Sequence, residues 1–366
     1  MLKSINAIAH SKYLLILGGL FLLSVSCSKE EALTVPVVQP GANVTKTLKE
    51  KALFPVGAAV TVAHLKESDF SATFKNNFSQ LSAEYEMKMS NIWTSASSYS
   101  FSNTDYLVDY ARQNNMKVHG HVLLWHQTFP EWFKTAAYDS TNFENSVKTY
   151  IQTVVSKYKG RIVSWDVANE IFADNGSLRV DATIYKTFKD PIGFYGRCFK
   201  YARSADPDVK LFYNDYDQVL NAAKRTAVFN MVDRFRKEGY PIDGIGDQFH
   251  TTTWTSKSTI SSGLTDLASK GLLIHISELD IRVNQDKSNT YVFTTAEMQK
   301  QTDMYTAVVT AFESLPQSQK FAITTWGITD KYTWLTGWWH PLEYPLLFDK
   351  VYAKKKAYEG FLSGLK

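Results

Sequence analysis

Two stretches of this 366-residue chain end an apolar, β-branched run by delivering a glutamate: SWDVANE (164–170) closes on Glu170, and HISELDI (275–281) carries Glu278. A carboxylate at the end of a hydrophobic strand is costly to half-bury unless something partners it or chemistry uses it. Two of them, brought together from different strands, would suit glycoside hydrolysis. One acid protonates the leaving oxygen while the other carboxylate attacks the sugar or activates water. The plainer reading is a structural ion pair or a satisfied hydrogen-bonder at a rim. What else the chain places beside the two glutamates decides between these.

Short β-rich runs recur eight times: FPVGAAV (54–60), EYEMKMSNIW (84–93), KVHGHVLLW (117–125), RIVSWDVANE (161–170), KLFYNDY (210–216), DGIGDQFH (243–250), LLIHISELD (272–280) and FAITTWGITD (321–330). Helix-like stretches lie between them. In residues 142–160, Val147, Ile151, Val154 and Tyr158 fall on one 3.6-residue face, and residues 222–239 end in a capping Gly. Alternation of this kind, with near-continuous apolar strands, predicts an α/β fold with parallel strands covered by helices. A closed (β/α)8 TIM barrel, a single catalytic domain over residues 46–366, is the economical form because it leaves no sheet edge. An open doubly wound sheet is the competing arrangement, but no GxGxxG or P-loop accompanies any strand.

Active sites of such barrels lie at the carboxyl ends of the strands. The run ends supply Lys88, His121, Trp125, Asn169, Glu170, Asn214, Asp215, Gln248, His250, Glu278, Asp280, Trp326 and Asp330. One polar residue there could be a core hydrogen-bonder; so many converging on one face are hard to explain by stability alone. His119 and His121 alternate on one strand and could in principle hold a metal, as in barrel amidohydrolases. That arrangement needs the pair on the first strand with further His ligands later, whereas here it lies on the third and only His250 ends a later strand.

Composition agrees without deciding. The chain is 44% hydrophobic and 14% aromatic, with 9 Trp, 20 Tyr and 22 Phe, which fits a large core or a cleft that stacks on sugar rings. Forty basic against 36 acidic residues give a net charge of +4 with no basic stripe, so a nucleic-acid partner is not expected. At the N-terminus Lys3 and Lys12 precede a 13-residue apolar run (13–25) ending just before Cys27. That run is short for a membrane span and has the layout of a secretory signal. Residues 1–26 are therefore expected to be a signal peptide of the lipoprotein type, although Ser24 stands where such signals usually place Leu. Cys27 would be lipidated, followed by a flexible tether to residue 45. The expectation is an exported outer-membrane lipoprotein of a Gram-negative bacterium, anchored by lipid and monomeric.

WDVANE, ISELD, HGHVLLWH, LFYNDY, DGIGDQFH and TTWGITDKYTWL, in this order, resemble the signature segments of family 10 glycoside hydrolases, the endo-β-1,4-xylanases. The resemblance runs from about residue 50 past PLLFD (345–349). It implies hydrolysis of internal bonds in xylan or xylo-oligosaccharides with retention of configuration, Glu170 acting as general acid/base and Glu278 as nucleophile, with carboxyls about 5–5.5 Å apart. It implies no metal or other cofactor. Asn169 would bond the 2-OH of the reacting sugar. His250 and Asp280 would hold the nucleophile, and Gln248 and Asn214 would stand around the acid/base. Glu84, Lys88, His121 and Trp125 would grip the glycone side, and Trp326 and Trp334 would form an aromatic lid. The second-strand segment departs from the family's E-N-x-M-K-W: Tyr85 replaces the Asn and Met89 the Trp, while Thr128 stands at the usual Gln of the third. A tyrosine cannot reproduce a carboxamide's donor and acceptor together, so the second glycone subsite is expected to differ.

Overall fold

A computed structural model of the chain describes residues 46–134, 139–180 and 183–366. The signal-type segment, Cys27 and the tether lie outside these residues. Among the described residues, eight parallel strands alternate with eight principal helices: β1 (Val56–Val60), α1 (Ser68–Asn77), β2 (Gln80–Ala83), α2 (Ser102–Gln113), β3 (Lys117–Gly120), α3 (Ser140–Lys157), β4 (Ser164–Asn169), α4 (Pro191–Ala205), β5 (Lys210–Asp215), α5 (Ala222–Glu238), β6 (Gly244–Asp247), α6 (Lys257–Ala268), β7 (Leu273–Arg282), α7 (Thr295–Glu313), β8 (Lys320–Thr325) and α8 (Lys356–Gly364). Each strand pairs with the next, and β8 pairs with β1, so the sheet closes on itself. This is the expected (β/α)8 barrel.

The helices start and stop where local chemistry says they should. The Asp139 carboxylate accepts from the Asn142 amide and starts α3 at Ser140, two residues earlier than its apolar pattern suggested. The face Val147, Ile151, Val154 and Tyr158 is buried against the barrel. Asn221 caps α5 by accepting from the Ala223 and Lys224 amides, and Gly239 ends it at φ 66°, a left-handed position that glycine takes without a Cβ penalty.

The second strand is not where its pattern put it. Glu84–Ile92 is not a strand; after Ala83 the chain leaves the barrel sheet, Met89–Ile92 forms a single helical turn, and Trp93–Ser95 pairs only with Ser98–Tyr99 outside it. The alternating Tyr85, Met87 and Met89 imitate strand periodicity, yet Met87, Met89 and Ile92 bury into the core from outside the sheet. The real β2 reads QLSA and was masked by its polar members.

Those polar members belong to a wider departure from apolar strands. Gln80 donates to Thr324 (3.3 Å), as His275 does or from it accepts (2.8 Å), deep inside the barrel. His119, Phe212, His275 and Phe321 pack ring against ring there, with centroids 4.6–6.1 Å apart. Burial, reinforced by the neighbouring His119 charge, pushes His275 well below the usual imidazole range, so it is neutral.

Behind β5 a second polar cluster ties α5 to the sheet. The Lys224 ammonium lies 2.7 Å from Asp215 and 3.1 Å from the Tyr216 ring centroid, and both charged side chains are fully buried. Tyr213 donates to the same carboxylate. Burial raises Asp215 to about 7 despite the Lys224 charge that opposes it. Lys224→Met keeps the volume but leaves the carboxylate without its cation, and is expected to cost about 3 kcal/mol in denaturant unfolding. The loss should be greater at pH 8 than at pH 5. A carboxyl whose folded pKa is raised destabilises the fold as pH climbs above its unfolded value, and protonation at low pH relieves it.

Candidate active site

Three consecutive strands end on a residue in the left-handed region: Glu170 after β4 (φ 55°), Asp217 after β5 (φ 59°) and Phe249 after β6 (φ 59°). For residues other than glycine this geometry is unfavourable and persists only where neighbours enforce it. At Glu170 they do. Its amide donates to the Asn214 carbonyl on β5 (3.0 Å), and its own carbonyl accepts from Arg179 Nε (2.9 Å). The twist takes the side chain off the strand's alternation and into the barrel mouth.

There it meets Glu278 through shared partners. Glu170 Oε2 accepts from Trp125 Nε1 (2.9 Å), and Oε1 from Gln248 Nε2 (3.0 Å) and Asn169 Nδ2 (3.2 Å). Glu278 Oε1 accepts from Asn214 Nδ2 (2.8 Å), which also donates to Asn169 Oδ1 (2.9 Å). A continuous path of amides therefore links the two carboxylates. Ser277 donates to Asn214 Oδ1 (2.6 Å) and so turns the Asn214 amide donors toward Glu278. Gly246 makes room for this residue: a Cβ there would lie 2.4 Å from Asn214 Oδ1. Asn214, expected beside the acid/base, serves both glutamates, Glu170 by its backbone and Glu278 by its side chain.

The two carboxylates, 8% and 4% exposed, sit in different electrostatic settings. Burial works to raise Glu278, but the hydrogen bond from His250, the His121 and His250 charges and the Asn214 amide outweigh it and hold its carboxyl below the usual range. His250 faces it with Nε2 3.5 Å from Glu278 Oε2 and Nδ1 2.9 Å from Asp280 Oδ2. Burial opposes the imidazolium, yet Asp280 and Glu278 together raise His250 to about 10, so it is cationic at neutral pH. Trp334 Nε1 donates to that same Asp280 oxygen (2.8 Å). Lys88 stands across the cleft, its ammonium 4.9 Å from both the Tyr85 and Trp125 ring centroids. Burial lowers its pKa against the pull of Glu278, Glu84 and Glu170. Burial likewise raises Glu84.

His119 and His121 each direct a ring nitrogen at Asp166 Oδ2, both at 2.9 Å. With Nδ1 so engaged, His121 keeps Nε2 for the cleft it lines. The pair is thus a positioning device built on a buried aspartate.

The cleft has a volume of about 740 Å³. Glu84, Lys88, His121, Trp125, Asn169, Glu170, Gln248, His250, Glu278, Trp326 and Trp334 line it, as their places in the sequence suggested, while Asn214 and Asp280 stand behind and orient the lining. Asp215 and Asp330, also strand-end candidates, point elsewhere, each to a lysine: the buried Lys224 and, at 2.8 Å, the partly buried Lys355. Tyr85 lines the cleft and is 50% exposed, but Met89 is core and Thr128 turns back onto the Trp125 carbonyl (3.3 Å). Gln127 takes the wall position instead. Arg179, Tyr216, Asp217, Arg282 and Trp338 line the cleft without having been singled out. Tyr216 closes the LFYNDY run and Asp217 follows it, so both were within reach of a longer reading. Arg179 lies in an irregular loop and carried no signal.

A closed (β/α)8 barrel with two inequivalent buried glutamates at its carboxyl mouth defines a glycoside-hydrolase type of protein. Residues 44–363 match the model of glycosyl hydrolase family 10, and the chain belongs to that family. It is 37% identical over 339 residues to the endo-β-1,4-xylanase Xyn10C of Cellvibrio japonicus, covering 85% of this chain and 56% of that protein. The chain thus spans little more than half the length of this relative. It is 34% identical over 326 residues to a β-1,4-xylanase of Dictyoglomus thermophilum, covering 85% and 89%. Among solved structures, Cellvibrio japonicus xylanase 10C in complex with xylopentaose superposes with a TM-score of 0.83 at 36% identity, over 87% of this chain and 69% of that one.

Because the His250 cation holds the Glu278 proton off, His250→Gln should move the acid limb of the pH–rate profile to higher pH. An unchanged limb in a folded variant would show that Glu278 is not the group titrating there.

Proposed function

We propose that the protein is a retaining endo-β-1,4-xylanase, with Glu278 as nucleophile and Glu170 as general acid/base. The observation that carries this is the asymmetry of the pair. Glu278 lies against a cationic histidine and an amide donor that favour the carboxylate, whereas Glu170 is surrounded by neutral donors from Trp125, Gln248 and Asn169. A division of labour between acid and nucleophile needs two such environments.

The reaction follows from the placement. The Glu278 carboxylate attacks the anomeric carbon and forms an ester bond to the sugar. As the bond to the leaving oxygen breaks, Glu170 gives that oxygen its proton. Water then gives a proton back to Glu170 and attacks the same carbon, releasing Glu278. Two inversions leave the configuration retained. In this reading Asn169 bonds the sugar 2-OH, Lys88, His121 and Glu84 grip hydroxyls, Trp125, Trp326 and Trp334 cover apolar ring faces, and Gln248, Asn214, His250 and Asp280 hold the two glutamates. A glycan-binding protein without catalysis is disfavoured, because both glutamates and their partners are in place. A β-1,4-glycanase with some cellobioside activity is the nearer alternative, and relative rates on aryl xylobioside and cellobioside separate it.

Wild type should release reducing sugar from xylan, and Glu278→Ala should abolish the release. Equal rates, or a folded wild type that releases none, would sink the proposal. Glu170→Ala should lose about 10²–10⁴-fold on xylan and much less on an activated aryl glycoside, whose leaving group needs no proton.

The apolar run before Cys27 supports a lipid-anchored, outer-membrane location for residues 27–366, the barrel being tethered by residues 28–45 and acting as a monomer. Cells fed radiolabelled palmitate should label the wild-type protein and not Cys27→Ser. Label retained in the variant would contradict anchoring at this residue.

A further inference from the structure

The loop after β8 carries four tryptophans, and three of them have a role in the arrangement above or in the loop's own anchoring: Trp326 lines the cleft beside His121. Trp334 bonds Asp280 beside Glu278. Trp339 is pinned: its Nε1 donates to the Asn284 carbonyl (3.0 Å), and its ring holds the Arg282 guanidinium at 4.3 Å and the Lys287 ammonium at 3.8 Å. Between them Trp338 is 60% exposed. What sets this exposed aromatic apart is its place in the wall of a concave cleft, where aromatic side chains line ligand sites.

The backbone that carries Trp338 is tied down on both sides. Trp338 ends a helical turn, Leu335–Trp338, and its amide donates to the Trp334 carbonyl (3.1 Å). Leu335 anchors that turn in the core, its carbonyl accepts from the Trp339 and His340 amides, and the His340 ring bonds Asn284 (3.0 Å). The indole packs on Trp334 with centroids 4.7 Å apart at 31°, and it lines the same cleft as both glutamates. Packed between Trp334 and Trp339 and still 60% exposed, it extends the aromatic surface that Trp334 begins next to the reacting centre.

We propose that Trp338 is a stacking platform for a further sugar of the β-1,4-linked chain, beyond the one held between Glu170 and Glu278. The inference rests on the xylanase reading for the identity of its ligand. The C–H face of a pyranose is apolar and the size of an indole, and an indole already packed on its neighbours offers that area with few rotamers to lose. A platform of this kind sets which chain lengths bind well and leaves the bond-breaking step alone.

Kinetics on xylo-oligosaccharides of increasing length test this directly. Trp338→Ala should lose roughly five- to tenfold in kcat/KM on xylohexaose, through KM, with a loss that shrinks as the chain shortens. Trp338→Phe should recover most of it. Equal losses at every length would mean that Trp338 only supports Trp334, and no loss at any length would mean that it binds nothing; either overturns the proposal. Calorimetric binding of xylohexaose to Glu278→Ala and to Glu278→Ala/Trp338→Ala needs no turnover. Weaker binding by the double variant supports the platform, and equal affinity overturns it. A wild type that fails to hydrolyse xylan would instead count against the xylanase reading.

Discussion

Two carboxylates share one barrel mouth with little water to solvate them, and the polar structure around them answers that constraint. Each has lost most of its hydration, and like charges in so small a volume raise the cost of ionising both. The fold does not neutralise the pair symmetrically. It gives Glu278 a cation at 3.5 Å, His250, whose own charge is secured by Asp280, and gives the Glu170 carboxyl neutral hydrogen-bond donors from Trp125, Gln248 and Asn169. The Asn169–Asn214 amides then tie the two together, so that moving one side chain disturbs the other.

This arrangement depends on geometry that regular strands do not supply. A strand alternates its side chains, so consecutive residues such as Asn169 and Glu170 would point to opposite faces. The left-handed residue at Glu170 breaks that alternation, and both can then face the cleft. Beneath them the barrel interior is unusually polar. His119, Asp166, His275, Gln80 and Thr324 form buried hydrogen bonds that leave few alternative packings, because a broken bond there strands a polar group. His121 inherits its ring orientation from that layer through Asp166.

The legible part of the site was the part carried on strands. SWDVANE, HISELDI, LFYNDY and DGIGDQFH are contiguous, and their strands are recognisable from β-branched runs, so Glu170, Glu278, Asn214, Gln248 and His250 fall at strand ends on sequence alone. The illegible part lies in loops and polar strands. β2 was misplaced because Gln80 and Ser82 point into a hydrogen-bonded interior and break the apolar signal, while Met87 and Met89 mimic it from a loop. Asp215 and Asp330 sit in motif positions like the others, yet each is paired with a lysine on another element, Lys224 or Lys355. Arg179 and Trp338 reach the cleft by loop paths that no periodicity describes.

By itself the sequence determined the alternation of strands and helices, the barrel as the closed solution for parallel strands, and the two glutamates as the residues at issue. Those properties follow from local periodicity and from short contiguous motifs. Only the tertiary structure decided how the glutamates differ. The cation beside Glu278, the amide path between the pair, the left-handed turn at Glu170 and the open face of Trp338 all arise from contacts between separate strands and loops. Such contacts come into being only when the barrel closes.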